Sequence, residues 1–113
     1  MVIRHTAARA ALEAGDFETA VSLLQKAADA GDAPACFYLG LCYRNGWGVG
    51  QDLGKAADYF LKAAEQGLDG AQYELGAMYH LGTGVEKDLE AAAEWYQKSL
   101  DAGYYSMAMI RRQ

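Results

Sequence analysis

Three glycines on alternate positions, in the stretch YRNGWGVGQD from Tyr43 to Asp52, are the residues of this chain best suited to cradle a phosphate. Backbone amides cleared of side chains can ring an anion, so such a loop would point to nucleotide chemistry. Two other sets could also do chemistry: Cys36 with Cys42, as a nucleophile or metal pair, and His5 with His80, as bases or ligands. Spacing argues against each. Gly46 is not followed by Lys-Ser or Lys-Thr, and the pattern is G-x-G-x-G after a helical stretch, not G-x-G-x-x-G after a strand. The two cysteines are predicted on one helix, about 9 Å apart along its axis and pointing to different sides, too far for a disulfide within it. They read as reduced, small core residues. Neither histidine has a neighbouring ligand three or four residues away, and no Ser-His-acid set is suggested. The expectation is a chain with no catalytic residues, no metal and no cofactor.

The glycines have a different explanation, which appears when the chain is slid along itself by 36 residues. YRNGWGVGQDL then falls on YHLGTGVEKDL, Tyr79 to Leu89, and residues 35–70 align with 71–106 without a gap. Thirteen positions are identical, among them Ala35, Leu39, Gly40, Tyr43, Gly46, Gly48, Val49, Asp52 and Leu53. A catalytic loop is rarely duplicated at an architectural period, whereas a structural turn must be.

Each copy divides into two helices. In the first, Ala35, Leu39, Cys42 and Tyr43 recur at spacings of three and four, an apolar stripe of helical period. In the second, Leu53, Ala56, Ala57, Phe60, Ala63 and Ala64 share a face, with Lys55, Asp58, Lys62 and Glu65 opposite. Asp52 and Asp88 are predicted N-caps, and Gly67 and Gly103 left-handed helix ends. Gly46, Gly48, Gly82 and Gly84 supply positive φ, with Val49 and Val85 tucking the turn against the helices. Gly40 and Gly76 fall inside helices, where glycine costs about 1 kcal/mol relative to alanine. The expected compensation is close backbone approach of the paired helices, with Ala56 and Ala92 facing the glycines. Residues 11–31 form a shorter copy whose turn is a bare Gly15-Asp16. The tail YYSMAMIRRQ begins another copy but carries Arg111-Arg112 at the Leu-Gly position, and reads as a cap.

These residues resemble the Sel-one-like repeat, a relative of the tetratricopeptide repeat. The matching pattern is Ala35, Leu39, Gly40, Tyr43, Gly46, Gly48, Val49, Asp52, Lys55 and Ala56, then Tyr59-Phe60 and Lys62-Ala63-Ala64. The second copy follows it with Ala91 for the lysine and Trp95-Tyr96 as the aromatic pair. The resemblance implies an all-α fold, an α/α superhelix or right-handed solenoid of antiparallel helix pairs, with about three repeats and a C-terminal capping helix. It implies a scaffold for protein assembly, often in bacterial signalling and host interaction, and no shared active site. Some cysteine-rich relatives pair a cysteine in each repeat; here Gln72 replaces Cys36 in the next copy. On this reading residues 1–113 are one domain, with repeats at about 1–34, 35–70 and 71–106 and the cap at 104–113.

Bulk properties agree. The chain has 113 residues, 52% of them apolar, and a single proline, so one globular helical domain is the default. Its net charge of −5 argues against nucleic acid as a partner. No apolar run approaches the roughly 20 residues that cross a bilayer. His5, Arg9 and Glu13 interrupt the start where a signal peptide needs an apolar stretch, so a cytoplasmic location without membrane contact is expected.

Charge is nevertheless sorted by helix. Arg4, Arg9, Arg44, Arg111 and Arg112 all fall on first helices or the tail, while Lys26, Lys55, Lys62, Lys87 and Lys98 fall on second helices or the turn before one. In stacked helix pairs the first helices line the concave side. By analogy with tetratricopeptide repeats, the expected partner-binding set is His5, Arg9, Phe37, Leu41, Arg44, Asn45, Tyr73, Ala77 and His80. Aromatic residues interleaved with arginine suit a protein contact, and arginine's planar fork suits carboxylates, so a protein or peptide with an acidic or C-terminal segment is the expected partner. Trp47, replaced by Thr83 in the next copy, is either a contact residue or packed against its neighbour. Met107, Met109 and Ile110 could cover the last pair or join a second chain. A structural oligomerisation module, or a fragment of a longer array, is the competing function. A hydrolase of the kind suggested for cysteine-rich relatives is the remote one, disfavoured by the missing cysteines.

Overall fold

The structure, a computed structural model, describes residues 3–103, with side chains from residue 7 onward. The side chain of His5 and the tail with Met107, Met109, Ile110 and the expected cap lie outside the described residues. Within them the chain forms six helices and no strand: α1 (Ile3–Glu13), α2 (Phe17–Asp29), α3 (Ala33–Asn45), α4 (Leu53–Glu65), α5 (Asp69–Leu81) and α6 (Leu89–Asp101). Each helix packs on its neighbours in sequence, giving an α/α repeat array of three pairs.

Local chemistry sets the boundaries. Asp16, Asp52 and Asp88 each cap a second helix, their carboxylates accepting from the amides of Thr19, Lys55 and Ala91. Such a cap satisfies one of the four amides that a helix start leaves without a partner. Asp32 does the same for α3 by accepting from the Ala35 amide. The two long turns are copies in conformation as well as sequence: Gly46 and Gly82 both close their helices at φ 72°. Each turn then returns so that the amides of Asp52 and Asp88 donate to the carbonyls of Tyr43 and Tyr79, at 2.9 and 3.0 Å.

The second glycine of each turn is required for two reasons. Gly48 and Gly84 have φ of 75° and 76°, a region that side chains disfavour. A Cβ on Gly48 would also lie 2.6 Å from the Phe17 carbonyl oxygen, and one on Gly84 would collide with the Leu53 carbonyl. These turns therefore press against the first residue of the preceding pair's second helix. The glycine stretch joins repeats.

The core consists of two apolar clusters. One gathers Cys36, Ala56, Phe60, Ala63, Ala71, Leu75 and Met78 among α3, α4 and α5. The other gathers Ala8, Leu24, Ala27, Ala35, Leu39 and Cys42 among α1, α2 and α3. Cys36 and Cys42 thus serve opposite sides of one helix, as their spacing predicts. Val49 and Val85 pack against the clusters from the turns. Two polar residues are buried where the preceding repeat has apolar ones. Gln72, at the Cys36 position, donates to the Ala64 carbonyl at 3.2 Å, its own carbonyl oxygen having no partner. Ser99, at the Ala63 position, donates to the Asp69 carbonyl at 3.1 Å.

The explanation expected for Gly40 needs correcting. A Cβ there would lie 2.7 Å from the Phe60 ring, so the glycine makes room for an aromatic side chain of the paired helix rather than for its backbone. At Gly76 the obstacle is again a ring, Tyr96 at 2.9 Å, with the Ala92 carbonyl 3.3 Å away.

Candidate partner-binding face

The first helices of the three pairs are tied by side chains that cross from one repeat to the next. Arg9 on α1 donates to the Tyr38 hydroxyl on α3 at 3.1 Å. Arg44 on α3 forms an ion pair with Glu74 on α5 at 2.6 Å. Tyr38 and Glu74 occupy equivalent positions in the 36-residue alignment, so the same site in each repeat receives an arginine from the repeat before.

A three-part cluster occurs at the same positions of the second and third pairs. In the second pair it is Phe37, Arg44 and Phe60: the rings of Phe37 and Phe60 are 5.8 Å apart, and the Arg44 guanidinium sits 5.8 Å above Phe60. In the third it is Tyr73, His80 and Tyr96: the tyrosine rings are 5.4 Å apart, and His80 meets Tyr96 edge-on at 6.2 Å. The Tyr96 hydroxyl also lies 3.4 Å from His80 Nδ1. Phe60 and Tyr96 belong to second helices and pack across Gly40 and Gly76 against first-helix residues, Phe60 fully buried and Tyr96 half-buried. The Leu-Gly pair of each repeat thus places a second-helix ring among first-helix residues.

Of the residues expected here, Arg9, Asn45 and His80 are exposed, and Phe37, Leu41, Arg44, Tyr73 and Ala77 are half-buried. Asn45 donates to the Leu41 carbonyl at 3.0 Å. Their chemistry differs from the expected free arginine lining. Arg44 is committed to Glu74, and both side chains are partly buried, so an acidic ligand would have to compete for it. Arg9 is held by a neutral hydroxyl; that hydrogen bond keeps its guanidinium firmly charged and leaves the group exposed. Tyr38, Glu74 and Tyr96 were absent from the expected set. Signals for them existed: Tyr38 and Glu74 each follow an expected contact residue, and Tyr96 follows Trp95 in the aromatic pair.

The remaining candidates resolve structurally. Trp47 stacks on Phe17 of the preceding pair, centroids 5.4 Å apart and planes within 8°, and is 36% exposed. Lys55, Lys62 and Lys98 lie over Tyr43, Tyr59 and Trp95, at 5.4, 5.2 and 4.8 Å, which ties the second-helix lysines to packed rings. Cys36 and Cys42 are free and buried, and burial raises both thiol pKa values, that of Cys42 to about 11. A thiol so held is protonated at neutral pH and a poor nucleophile. Among the described residues no group of three or more His, Cys, Asp or Glu is placed to hold a metal. No helix among them is long and apolar enough to cross a membrane.

Stacked helix pairs joined by duplicated turns define an α/α repeat protein. The Sel1 repeat profile matches residues 10–32, 33–68 and 70–104, and the chain belongs to that family. Three solved structures place it among bacterial relatives. A Sel1 repeat protein from Oxalobacter formigenes is 31% identical with a TM-score of 0.83, over 88% of this chain and 41% of that one. A protective antigen of uropathogenic Escherichia coli with the same repeat fold is 37% identical with a TM-score of 0.75, over 86% and 23%. Cysteine-rich protein B of Helicobacter pylori is 29% identical with a TM-score of 0.75, over 84% and 70%. The chain therefore spans less than half the length of the first two. No curated protein matches it.

Proposed function

We propose that this chain is a non-enzymatic interaction module that holds an extended segment of a protein partner along the face of α1, α3 and α5. Sel1 repeat proteins are generally protein-interaction scaffolds, which supports the class. The observation that carries the reading is the twofold occurrence, 36 residues apart, of a first-helix aromatic beside a cationic or imidazole group, Phe37 with Arg44 and Tyr73 with His80, each backed by a second-helix ring. Rigid rings beside polar nitrogen groups offer large contact area at low entropic cost. Such spacing would meet successive stretches of an extended chain.

The charges divide the partner's chemistry along the face. A carboxylate, from an acidic side chain or a C-terminus, is received at Arg9, whose planar donors are engaged on one side by Tyr38. Apolar or aromatic side chains are received between Tyr73, Tyr96 and His80. A peptide array probed with the full chain tests this. Acidic peptides bearing an aromatic residue should be retained, Arg9→Ala should weaken them about tenfold, the effect of losing one charge-assisted contact, and Arg44→Ala should weaken them less. Preferential capture of basic peptides, or unchanged binding by Arg9→Ala, would refute the assignment. Self-association through the residues after 103 is a second proposed property, read by light scattering as a dimer mass.

A further inference from the structure

Arg44 and His80 occupy equivalent positions, but only one of them is a permanent cation. Arg44 carries its charge throughout the physiological range and is paired with Glu74 on the next first helix. His80 is exposed, and the residue that the sequence places one repeat beyond Glu74 is Ile110, not a carboxylate. The titratable groups around His80 are few. Tyr73 shares α5, and Tyr96 reaches it from α6, with its hydroxyl 3.4 Å from Nδ1 and its ring met edge-on. Glu74, also on α5, is held by Arg44 of α3. Among the described residues α4, which packs on α5, gives His80 neither a hydrogen bond nor an ion pair.

We infer that His80 and Tyr96 form a second, pH-gated seat for an acidic group of the partner, so that acidic segments are held more tightly in mildly acidic surroundings. This rests on the binding face proposed above and names how that face is regulated. Protonation changes the donors that the pair turns outward. Neutral imidazole has a single N–H. With that proton on Nε2, Nδ1 accepts from the Tyr96 hydroxyl; with it on Nδ1, the outward nitrogen is a lone pair that repels a carboxylate. In imidazolium both nitrogens donate. Nδ1–H then donates to the Tyr96 oxygen, and the hydroxyl proton is free to point elsewhere. The pair now offers a charged Nε2–H and an O–H, two donors for one carboxylate. Burial raises the Tyr96 pKa, so that hydroxyl keeps its proton while the imidazole titrates.

The probe is a rhodamine-labelled, amino-acetylated peptide with one tyrosine flanked by aspartates, whose carboxylates stay ionised above about pH 5.5. Its binding to the full chain is followed by fluorescence anisotropy at about pH 5.5 and about pH 7.5, the interval over which imidazole changes charge. A His5→Gln background leaves His80 the only histidine. Affinity should be about fivefold higher at the lower pH, the scale of one added charge-assisted contact. His80→Gln should make the two affinities equal, and His80→Arg should give tight binding at both. Bound peptide should raise the titration midpoint of His80, read from its imidazole proton resonances, by about 0.7 pH unit, the same fivefold on a logarithmic scale. Equal affinities at the two pH values in the parent, or a pH dependence that survives His80→Gln, would overturn the inference. Binding that Arg9→Ala weakens but pH leaves unchanged would sink this inference alone. No binding at either pH would remove the face itself and the inference with it.

Discussion

Helices α4 and α6 occupy equivalent places in successive repeats, yet they are buried to very different degrees. In α4, Ala56, Ala57, Phe60, Ala63 and Ala64 are all buried; in α6 only Ala92 and Ser99 are. The patterns are close, with Ala56, Ala57 and Lys62 matched by identical residues at Ala92, Ala93 and Lys98. The difference is position: α4 lies between α3 and α5, whereas α6 packs chiefly on α5. Burial in a repeat array is conferred by the next repeat, so the same residue is core in one copy and surface in another. That freedom leaves Tyr96 half-buried beside Tyr73 and His80 while its equivalent Phe60 is sealed into the interior.

The contrast can be broken most strongly at these two rings. Phe60→Ala should cost about 4 kcal/mol, the scale for emptying a fully buried aromatic site, whereas Tyr96→Ala should cost roughly half of that because its ring is partly in water already. Urea denaturation compares them, and equal losses would mean that the third repeat is packed as tightly as the second. Next in size is the room those rings need. Gly40→Leu should lose about 3 kcal/mol by driving a side chain into Phe60, while Gly50→Ala, with open space around it, should change stability by less than about 0.5 kcal/mol. Similar melting temperatures for the two would remove the account of Gly40 given above.

The smallest effect sharpens the same comparison through pH. Cys42 in the second repeat is replaced by Met78 in the third, so only the second repeat has a titrating group at this position. Burial raises the folded pKa of Cys42 from 9.0 to about 11. A raised pKa means that the folded state favours the protonated thiol. Its contribution to stability is complete below pH 9 and is lost as pH rises through about 11. Cys42→Ala should therefore flatten the fall in melting temperature over that interval, although it lowers the melting temperature at neutral pH by emptying a buried site. An unchanged alkaline slope would show that the thiol does not titrate with unfolding.

Much of the fold was legible because its signals are local. Asp52 and Asp88 cap their helices through amides three residues on, Gly46 and Gly82 end theirs with a left-handed residue, and the 36-residue period follows from comparing the chain with itself. The candidate face was legible in outline, since Phe37, Arg44, Tyr73 and His80 recur at helix positions that the alignment brings into register.

The sequence by itself determined where each helix starts and stops, which face of it is apolar, and that the unit repeats. These are fixed within a few residues by capping, by the φ range of glycine and by helical period. Tertiary structure alone decided that Glu74 neutralises Arg44, that Gly40 yields to a ring rather than a backbone, and that Leu89 stands uncovered while Leu53 does not. Each of these depends on how helices distant in sequence cross, an angle set by side chains interlocking between them and by no single segment of the chain.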